Sequence, residues 1–397
     1  MATNQHGVVK PQKIVDLGTG MLEQELVIPS LFQQEGVDNF KGTENDTYNV
    51  KVEGVLPFHD YEWRSGSTGT SAAPYNGRQK VEFDLYEERT YPVSFQGRVV
   101  NGVAITDEQA DFDLDRWGKL LSPQVKAIAR GLQRRAINTL TAQNYAVTIG
   151  DAAQNLRGSF LEARRVLNKF NVPTEGRYMV VGSDFESLIL SDANLALTAA
   201  VSDDRAESAL ADASIGRLFG FHVIVDQTIA SDEAFAFAGN GFIFLNAAPS
   251  IPASKKGNGA TQSLDGVSMR WMTSYDDDYF VDRSTVDTYA GFREVTDVLV
   301  GWDPIEEAEV ISSKEHFVRG ISLKLDGASS YPSLGTVDDD NDGGTTPEVA
   351  LTWASYAEAR KAGAEVDPLQ ELALITGVTA PGAHLTGVTG PGTVAND

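Results

Sequence analysis

The chain has 397 residues, more than the roughly 100–200 of a usual domain, so two or three folding units are expected. Its 32 basic residues stand against 56 acidic ones, a net charge of −24, which argues against sequence-independent nucleic-acid binding and against docking on an anionic membrane. Cysteine is absent, so disulfides, thiolate metal centres and cysteine nucleophiles are excluded, while a hydrophobic content of 42% supplies a substantial core.

The start, "MATNQHGVVKPQ", shows no apolar segment of a secretory signal, and no run approaches the roughly 18 apolar residues of a membrane span. Residues 1–47 are weakly periodic apart from one apolar piece, 26–32, and read as an extended arm rather than a core element. Residues 48–55 and 80–95 then alternate, with Val50 and Val52 on one face of the first and Val81, Phe83 and Leu85 on one face of the second. The polar stretch 57–79 between them, rich in Gly, Ser and Thr, makes this a long hairpin with a flexible tip. Two strands alone are marginal in water, so the hairpin needs a support.

Helical signals begin at Thr106, where "TDEQ" forms a capping box with Gln109, followed by Leu114, Trp117 and Leu121 at helical spacing. The pattern restarts with Ser122 as N-cap and Pro123 at the first helical position, and Val125, Ile128, Leu132, Ala136 and Leu140 form one apolar stripe with Lys126, Arg130, Arg134 and Arg135 off it, so one long helix bent at Ser122–Pro123 is expected. A second amphipathic helix covers 155–170, its stripe being Leu156, Phe160, Ala163, Leu167 and Phe170, and Pro173 stops it. The pattern then turns α/β: a strand at 177–183, a capping box from Ser183 to Glu186 opening a short helix, and an alanine-rich helical piece at 206–213. The stretch "GRLFGFHVIVD" (216–226) reads as a glycine-bearing turn feeding a strand, and "AFAFAGNGFIFLN" (234–246) as a strand pair. A polar loop is expected at 253–263, and strands at 267–275 and 284–300. From Asp303 the composition shifts, and 303–397 reads as an appendage with an acidic loop at 333–348 and a low-complexity tail repeating "TGVTAPG" as "TGVTGPG".

A search for chemistry returns structural readings. Gly216-x-x-x-Gly220 lacks the G-x-G-x-x-G spacing of a dinucleotide site and precedes a strand where that site needs a helix. The second glycine-bearing loop has Gln262 where the third glycine belongs, and neither loop is a P-loop. His6, His59, His222, His316 and His384 share no metal-ligand spacing, and His222 reads as a strand-end residue. Residues 338–343, "DDDNDG", fit the first half of a calcium loop, but Val349 stands where the bidentate Glu belongs, so a solvated acidic loop is expected. The run "YDDDYFVD" (275–282) reads as a turn between strands. No catalytic residue, cofactor or metal ligand is assigned.

The order of arm, long hairpin, long helix, α/β unit and returning strands resembles the major capsid proteins of tailed double-stranded-DNA bacteriophages. Residues 215–230 are similar to that family's G-x-L-x-G-F/Y-x-V turn, carried here by Gly216, Leu218, Gly220, Phe221 and Val223, and 234–249 to the strand pair that follows it. Residues 269–295 resemble its closing strands, of the type found in the short-tailed Salmonella phage coat family, through the D-x-x-x-G-F/Y pattern of Asp287, Gly291 and Phe292. The resemblance covers about residues 20–300 and implies an α+β, Hong Kong-97-type fold. Its parts would be an N-arm (1–47), an E-loop hairpin (48–98), a P-domain with a spine helix (99–150), an A-domain (151–263), P-domain return strands (264–302) and a C-terminal extension (303–397).

The resemblance further implies a non-enzymatic virion protein, assembled in the bacterial cytoplasm into hexamers and pentamers of an icosahedral shell. Portal and scaffolding proteins would be its partners, and double-stranded DNA would be enclosed without specific binding and without a membrane. The family often carries a cleaved N-terminal scaffolding segment or an inserted domain; neither is visible, and the start is poor in heptads. Phe58, Tyr61 and Trp63 would anchor the hairpin on a neighbouring subunit. The alternatives are an encapsulin-like compartment protein and, in another class, an acidic α/β enzyme or binding protein.

Overall fold

A computed structural model describes residues 27–36, 47–52, 55–58, 86, 88–107, 116–191, 216–255, 258–264, 267–305, 307–335 and 350–381. In chain order, a one-turn helix α1 (Ile28–Leu31) runs into β1 (Gln33–Gly36), and β2 (Thr47–Val52) and β3 (Arg89–Ser94) form the root of a hairpin. Next come β4 (Arg98–Thr106), the long α2 (Arg116–Thr141), β5 (Thr148–Ile149), α3 (Leu156–Lys169), β6 (Arg177–Val181) and α4 (Ser183–Ser191). They are followed by β7 (Arg217–Leu218), β8 (Phe221–Val225), β9 (Glu233–Ala238), β10 (Phe242–Ala247), β11 (Gly259–Leu264), β12 (Val267–Asp276) and β13 (Val281–Glu294). The hairpin of β14 (Asp297–Asp303) and β15 (Ala308–His316), then β16 (Gly320–Lys324), α5 (Trp353–Ala362) and α6 (Pro368–Thr376) complete the order.

Two six-stranded sheets organise these elements. The first runs β1-β10-β13-β12-β11, with β4 also paired to β13; the second runs β5-β16-β9-β6-β8-β7. The 14-residue β13 is the common partner of the first sheet, antiparallel to β4 and β12 over its first half and to β10 over its second. Against this sheet lies the apolar stripe of α2, where Val125, Ile128, Leu132, Ala136 and Leu140 are buried together with Trp271, Val286, Phe244 and Phe292. Each such buried side chain contributes about 1.5–3 kcal/mol. The stripe of α3 is likewise buried, against the second sheet.

The long helix holds as expected: its buried stripe passes Pro123 without interruption from Leu121 to Val125, so Ser122 lies inside the helix and is not an N-cap. Thr106 ends β4, paired to Val281, and Asp107 directly after it is helical, at the place where the sequence expects a helix to start. Gln109 and Leu114 lie outside the described residues, as does 206–213. At α4 the helix exists as expected, but the Ser231 carbonyl, not the Ser183 side chain, accepts from the Asp184 and Phe185 N–H groups.

Four further expectations are corrected. The apolar piece of the arm is a core element: Ile28 and Phe32 are buried, the Ile28 N–H donates to Gln133 on α2 (3.1 Å), and Phe32 stacks on Phe242 at 4.9 Å. The second half of the polar loop 253–263 is strand β11; its polar residues suit an edge strand. β10 and β11, grouped with the preceding unit at 151–263, hydrogen-bond into the other sheet. The described residues of 303–397 are not an appendage. Asp303 ends β14 within a hairpin, β16 is an interior strand of the second sheet, and Leu372 of α6 and Val378 just after it pack into its core. The first copy of the terminal repeat is the stop of α6, with Gly377 as its left-handed C-cap (φ +62°) and Val378 fully buried.

A buried polar seam joins β10, β12 and β13. The Asn246 amide donates to Thr288 Oγ1 (2.9 Å) and to the Tyr289 carbonyl (3.1 Å), while its Oδ1 accepts from the Ser268 N–H (2.5 Å) and hydroxyl (2.7 Å). Thr288 Oγ1 donates in turn to the Ser268 carbonyl (2.7 Å). Replacing Asn246→Leu keeps the volume but orphans these groups, and an unsatisfied buried polar group costs about 1–3 kcal/mol. The expected result is a lower urea midpoint with an unchanged slope, equivalent to roughly 3 kcal/mol; a loss below about 1 kcal/mol would show that water or rearrangement replaces the seam.

Candidate functional site

The two motifs singled out in the sequence are structural. Phe219 (φ +48°) and Gly220 (φ +94°) form the two-residue turn between the antiparallel β7 and β8. Both central residues are left-handed, the signature of a type I′ hairpin, and glycine carries that φ without strain. Leu218, Phe221 and Val223 point into the second core, and Arg164 Nη1 donates to the Phe219 carbonyl at 3.3 Å. In the second motif, Asp287 receives a bidentate, buried contact from Arg270 (2.9 and 2.6 Å). Gly291 leaves room for the β3 backbone, since a Cβ there would sit 2.7 Å from the Ser94 carbonyl oxygen. Phe292 stacks on Phe244 at 4.9 Å. Each motif residue is thus a packing or pairing device.

Other chemical candidates also resolve as structure. The acidic run at 276–278 opens the turn between β12 and β13, where Asp276 pairs with Arg283. His222 is exposed on β8; His6, His59, His384 and the 338–343 loop lie outside the described residues. Among the described residues no group of His, Asp and Glu could hold a metal, and no helix is long and apolar enough to cross a membrane. A cleft of about 500 Å³ between the sheets is lined by Lys169, Asn240, Asp297, Leu299, Arg319 and Ile375. Its charged groups are already engaged: Arg319 grips Asp297 in a bidentate pair (2.5 and 2.6 Å), and Lys169 donates to the Gly377 carbonyl at 2.5 Å.

What remains open are apolar surfaces around the hairpin and the strand tips. The hairpin root is held by its own chain: Tyr91 and Val93 of β3 are buried against Ile243, Leu245 and Val295. Arg89 pairs with Glu315 on β15 (2.5 Å), the Tyr91 hydroxyl donates to the Thr296 carbonyl, and Arg293 donates to the Pro92 carbonyl. Beyond the root, Phe58 is 54% exposed; its N–H donates to Glu309 (2.9 Å) and its ring stacks on Trp302, itself 47% exposed, at 6.1 Å. Val55, Leu56 and Ile305 are exposed as well. Tyr61 and Trp63 lie outside the described residues. A second open patch, Tyr279 and Phe280, caps the β12–β13 turn. Trp302 and Ile305 carry no motif in the sequence: Trp302 closes the expected return strands (264–302) and Ile305 falls in the segment after the shift of composition, and only the structure shows both exposed.

The family model for phage capsid protein matches residues 96–304, just over half of the chain. The chain belongs to this family, and its α+β fold is the Hong Kong-97-type capsid fold. It is a structural protein of the virion, a major capsid protein whose copies assemble into the shell, and not an enzyme. No curated protein matches it. Among solved structures it is similar to that of Mycobacterium phage Che8, with 14% identity and a TM-score of 0.47, covering 76% of this chain and 92% of that one. It is also similar to the capsid of cyanophage P-SCSP1u (10% identity, TM-score 0.47, 82% and 91% covered) and to the capsid of the native GTA particle (12%, 0.44, 82% and 94%).

One titratable cluster deserves a measurement. Glu371 on α6 is fully buried; its carboxylate accepts from the Tyr356 hydroxyl and the Ser313 N–H (both 2.6 Å) and faces His316 Nε2 at 3.3 Å. Burial alone would raise its pKa, but the bonds from His316, Ser313 and Tyr356 outweigh it and hold the group at about 2. A depressed carboxylate stabilises the fold above its unfolded pKa of about 4.3, and that contribution is lost as pH falls toward 2. Stability should therefore decline between about pH 4.5 and 2 by on the order of 3 kcal/mol more in the wild type than in Glu371→Gln, read as the difference in Tm slope. Parallel slopes would show that the cluster does not contribute.

Proposed function

We propose that the shell is built by a hairpin whose root belongs to one subunit and whose remainder lies across the next. In this reading the first sheet with α2 is the P-domain, the second sheet with α3 and α4 is the A-domain, residues 53–88 extend the E-loop, and subunits group into hexamers and pentamers. The observation that carries the reading is the asymmetry at the root. Arg89, Tyr91 and Val93 are tied to β13–β15 of their own chain, while Val55, Leu56 and Phe58 leave that anchorage largely exposed. Exposed apolar residues next to a rigid support favour a protein contact, and aromatic residues buried at an interface contribute about 2 kcal/mol or more each. Phe58 and Trp302 already stack on each other, so their open faces offer one seat to a neighbour, with Tyr61 and Trp63 as further anchors. Portal and scaffolding proteins are the further partners we assign, double-stranded DNA is the content, and the bacterial cytoplasm is the place of assembly.

Two tests follow. Replacing residues 58–79 with an Asn-Gly turn should leave a soluble, cooperatively melting chain that sediments as a monomer and forms no particles. Particles of normal size would remove the hairpin from the interface, and an unfolded chain would place its tip in the subunit core. The tip, 57–79, contains no lysine, so no amide cross-link can start there. Boiled particles should run as one band near 42.8 kDa, and a ladder of multiples would refute a non-covalent shell.

A further inference from the structure

The two most exposed large hydrophobic side chains among the described residues stand next to each other. Tyr279 is 73% and Phe280 65% exposed, at the end of the four-residue turn 277–280 that joins β12 to β13. Single apolar residues on a surface are ordinary, but a contiguous aromatic pair marks a place of contact. The turn is also held in an uncommon shape: Phe280 has φ +51°, a left-handed backbone that a bulky residue rarely adopts. Its neighbours fix it there, since the Asp107 N–H donates to the Phe280 carbonyl (3.3 Å) and the Tyr275 hydroxyl donates to Asp107 (2.8 Å). Asp276 pairs with Arg283, whereas Asp277 and Asp278 are exposed and in no ion pair among the described residues. The turn is thus a braced knob, two rings flanked by two open carboxylates.

The cleft between the sheets has the complementary features. Its volume of about 500 Å³ leaves room for two rings, since about 150 Å³ is enough for one of benzene size. Val298, Val300 and Ile375 in its lining are only half-buried, and Pro173 is exposed. Arg319 and Asp297 neutralise each other there, but Lys169 donates to a carbonyl and is in no ion pair among the described residues. Knob and cleft lie at opposite ends of β13: the turn precedes Val281, the cleft begins at Asp297, and the 14 residues of the strand span about 45 Å. No chain can therefore fill its own cleft. We infer that the Tyr279–Phe280 turn of one copy seats in the cleft of a second copy, its rings against Val298, Val300 and Ile375 and its Asp277 and Asp278 carboxylates toward Lys169. The inference rests on the shell reading. The contact joins two different surfaces, so every copy gives one and receives one, and it propagates from copy to copy instead of closing in a pair.

Because the chain has no cysteine, introduced thiols report the contact without background. Particles of the full-length Tyr279→Cys, Val300→Cys double variant, treated with a short thiol-specific cross-linker, should run as a ladder of multiples on a denaturing gel, while particles of either single variant give the monomer. Monomer alone from double-variant particles would overturn the inference. A dimer from Tyr279→Cys by itself would overturn it too, by showing that the turn meets its own copies. A second variant decides the matter if the cysteine pair does not assemble. Tyr279→Ser with Phe280→Ser should leave the Tm of the subunit unchanged, both side chains being exposed in it, and lower the yield of particles about tenfold or more. An unchanged yield would overturn the inference. Wild-type chain that forms no particles at all would instead strike the shell reading, so the two failures are separable.

Discussion

Everything in this subunit depends on a crossing of three residues. β9 is an interior strand of the second sheet, β10 is an interior strand of the first, and only Gly239–Gly241 separates them. The crossing is closed by backbone bonds on both sides: Gly239 N–H donates to the Gly176 carbonyl, and Val295 N–H to the Gly241 carbonyl (both 2.9 Å). Arg319 braces it, donating to the Asn240 carbonyl (2.9 Å) while gripping Asp297. Phe237 and Phe242 flank it edge to face at 5.5 Å, and Phe32 from the arm wedges between them. With so short a connection and so many fixed partners, the two sheets behave as one bracket.

That bracket explains why the arm, the hairpin root and the C-terminal elements all converge on β10, β13 and β14. β1 adds to the outer edge of β10, β3 lays Tyr91 and Val93 over its face, and the β14–β15 hairpin receives Arg89. A load on the hairpin root is therefore passed to the junction of the sheets. The angle between the two sheets is held by covalent shortness and aromatic packing together.

The strongly periodic parts of this architecture were legible in the sequence: both amphipathic helices, the hairpin pairing where it is described (47–52 with 89–94), and the strands at 177–183, 267–275 and 284–300; Val81, Phe83 and Leu85 lie outside the described residues. The failures have physical reasons. The arm's Ile28 and Phe32 belong to a segment too short to show a period, and only tertiary contact buries them. β11 is polar because it lies at an edge, so composition disguised it as a loop. β16, "GISLK", is short and follows a change of composition, and only its long-range pairing with β9 reveals it as interior. For the site, the first glycine motif was legible as a turn feeding a strand, whereas Trp302 gained meaning only when Phe58 was seen against it.

The position of β16 has a consequence in time. Its five residues slot between β5 and β9, strands that the ribosome finishes 80 or more residues earlier. Until residue 324 has emerged, β9 offers an open edge of buried-type residues, Ala234 through Phe237, and such edges recruit other chains indiscriminately. Closing it requires a contact of high sequence separation, which is slow to form. The nascent chain thus keeps this edge open until β16 has emerged, and becomes selective in its partners only once that strand has been laid down.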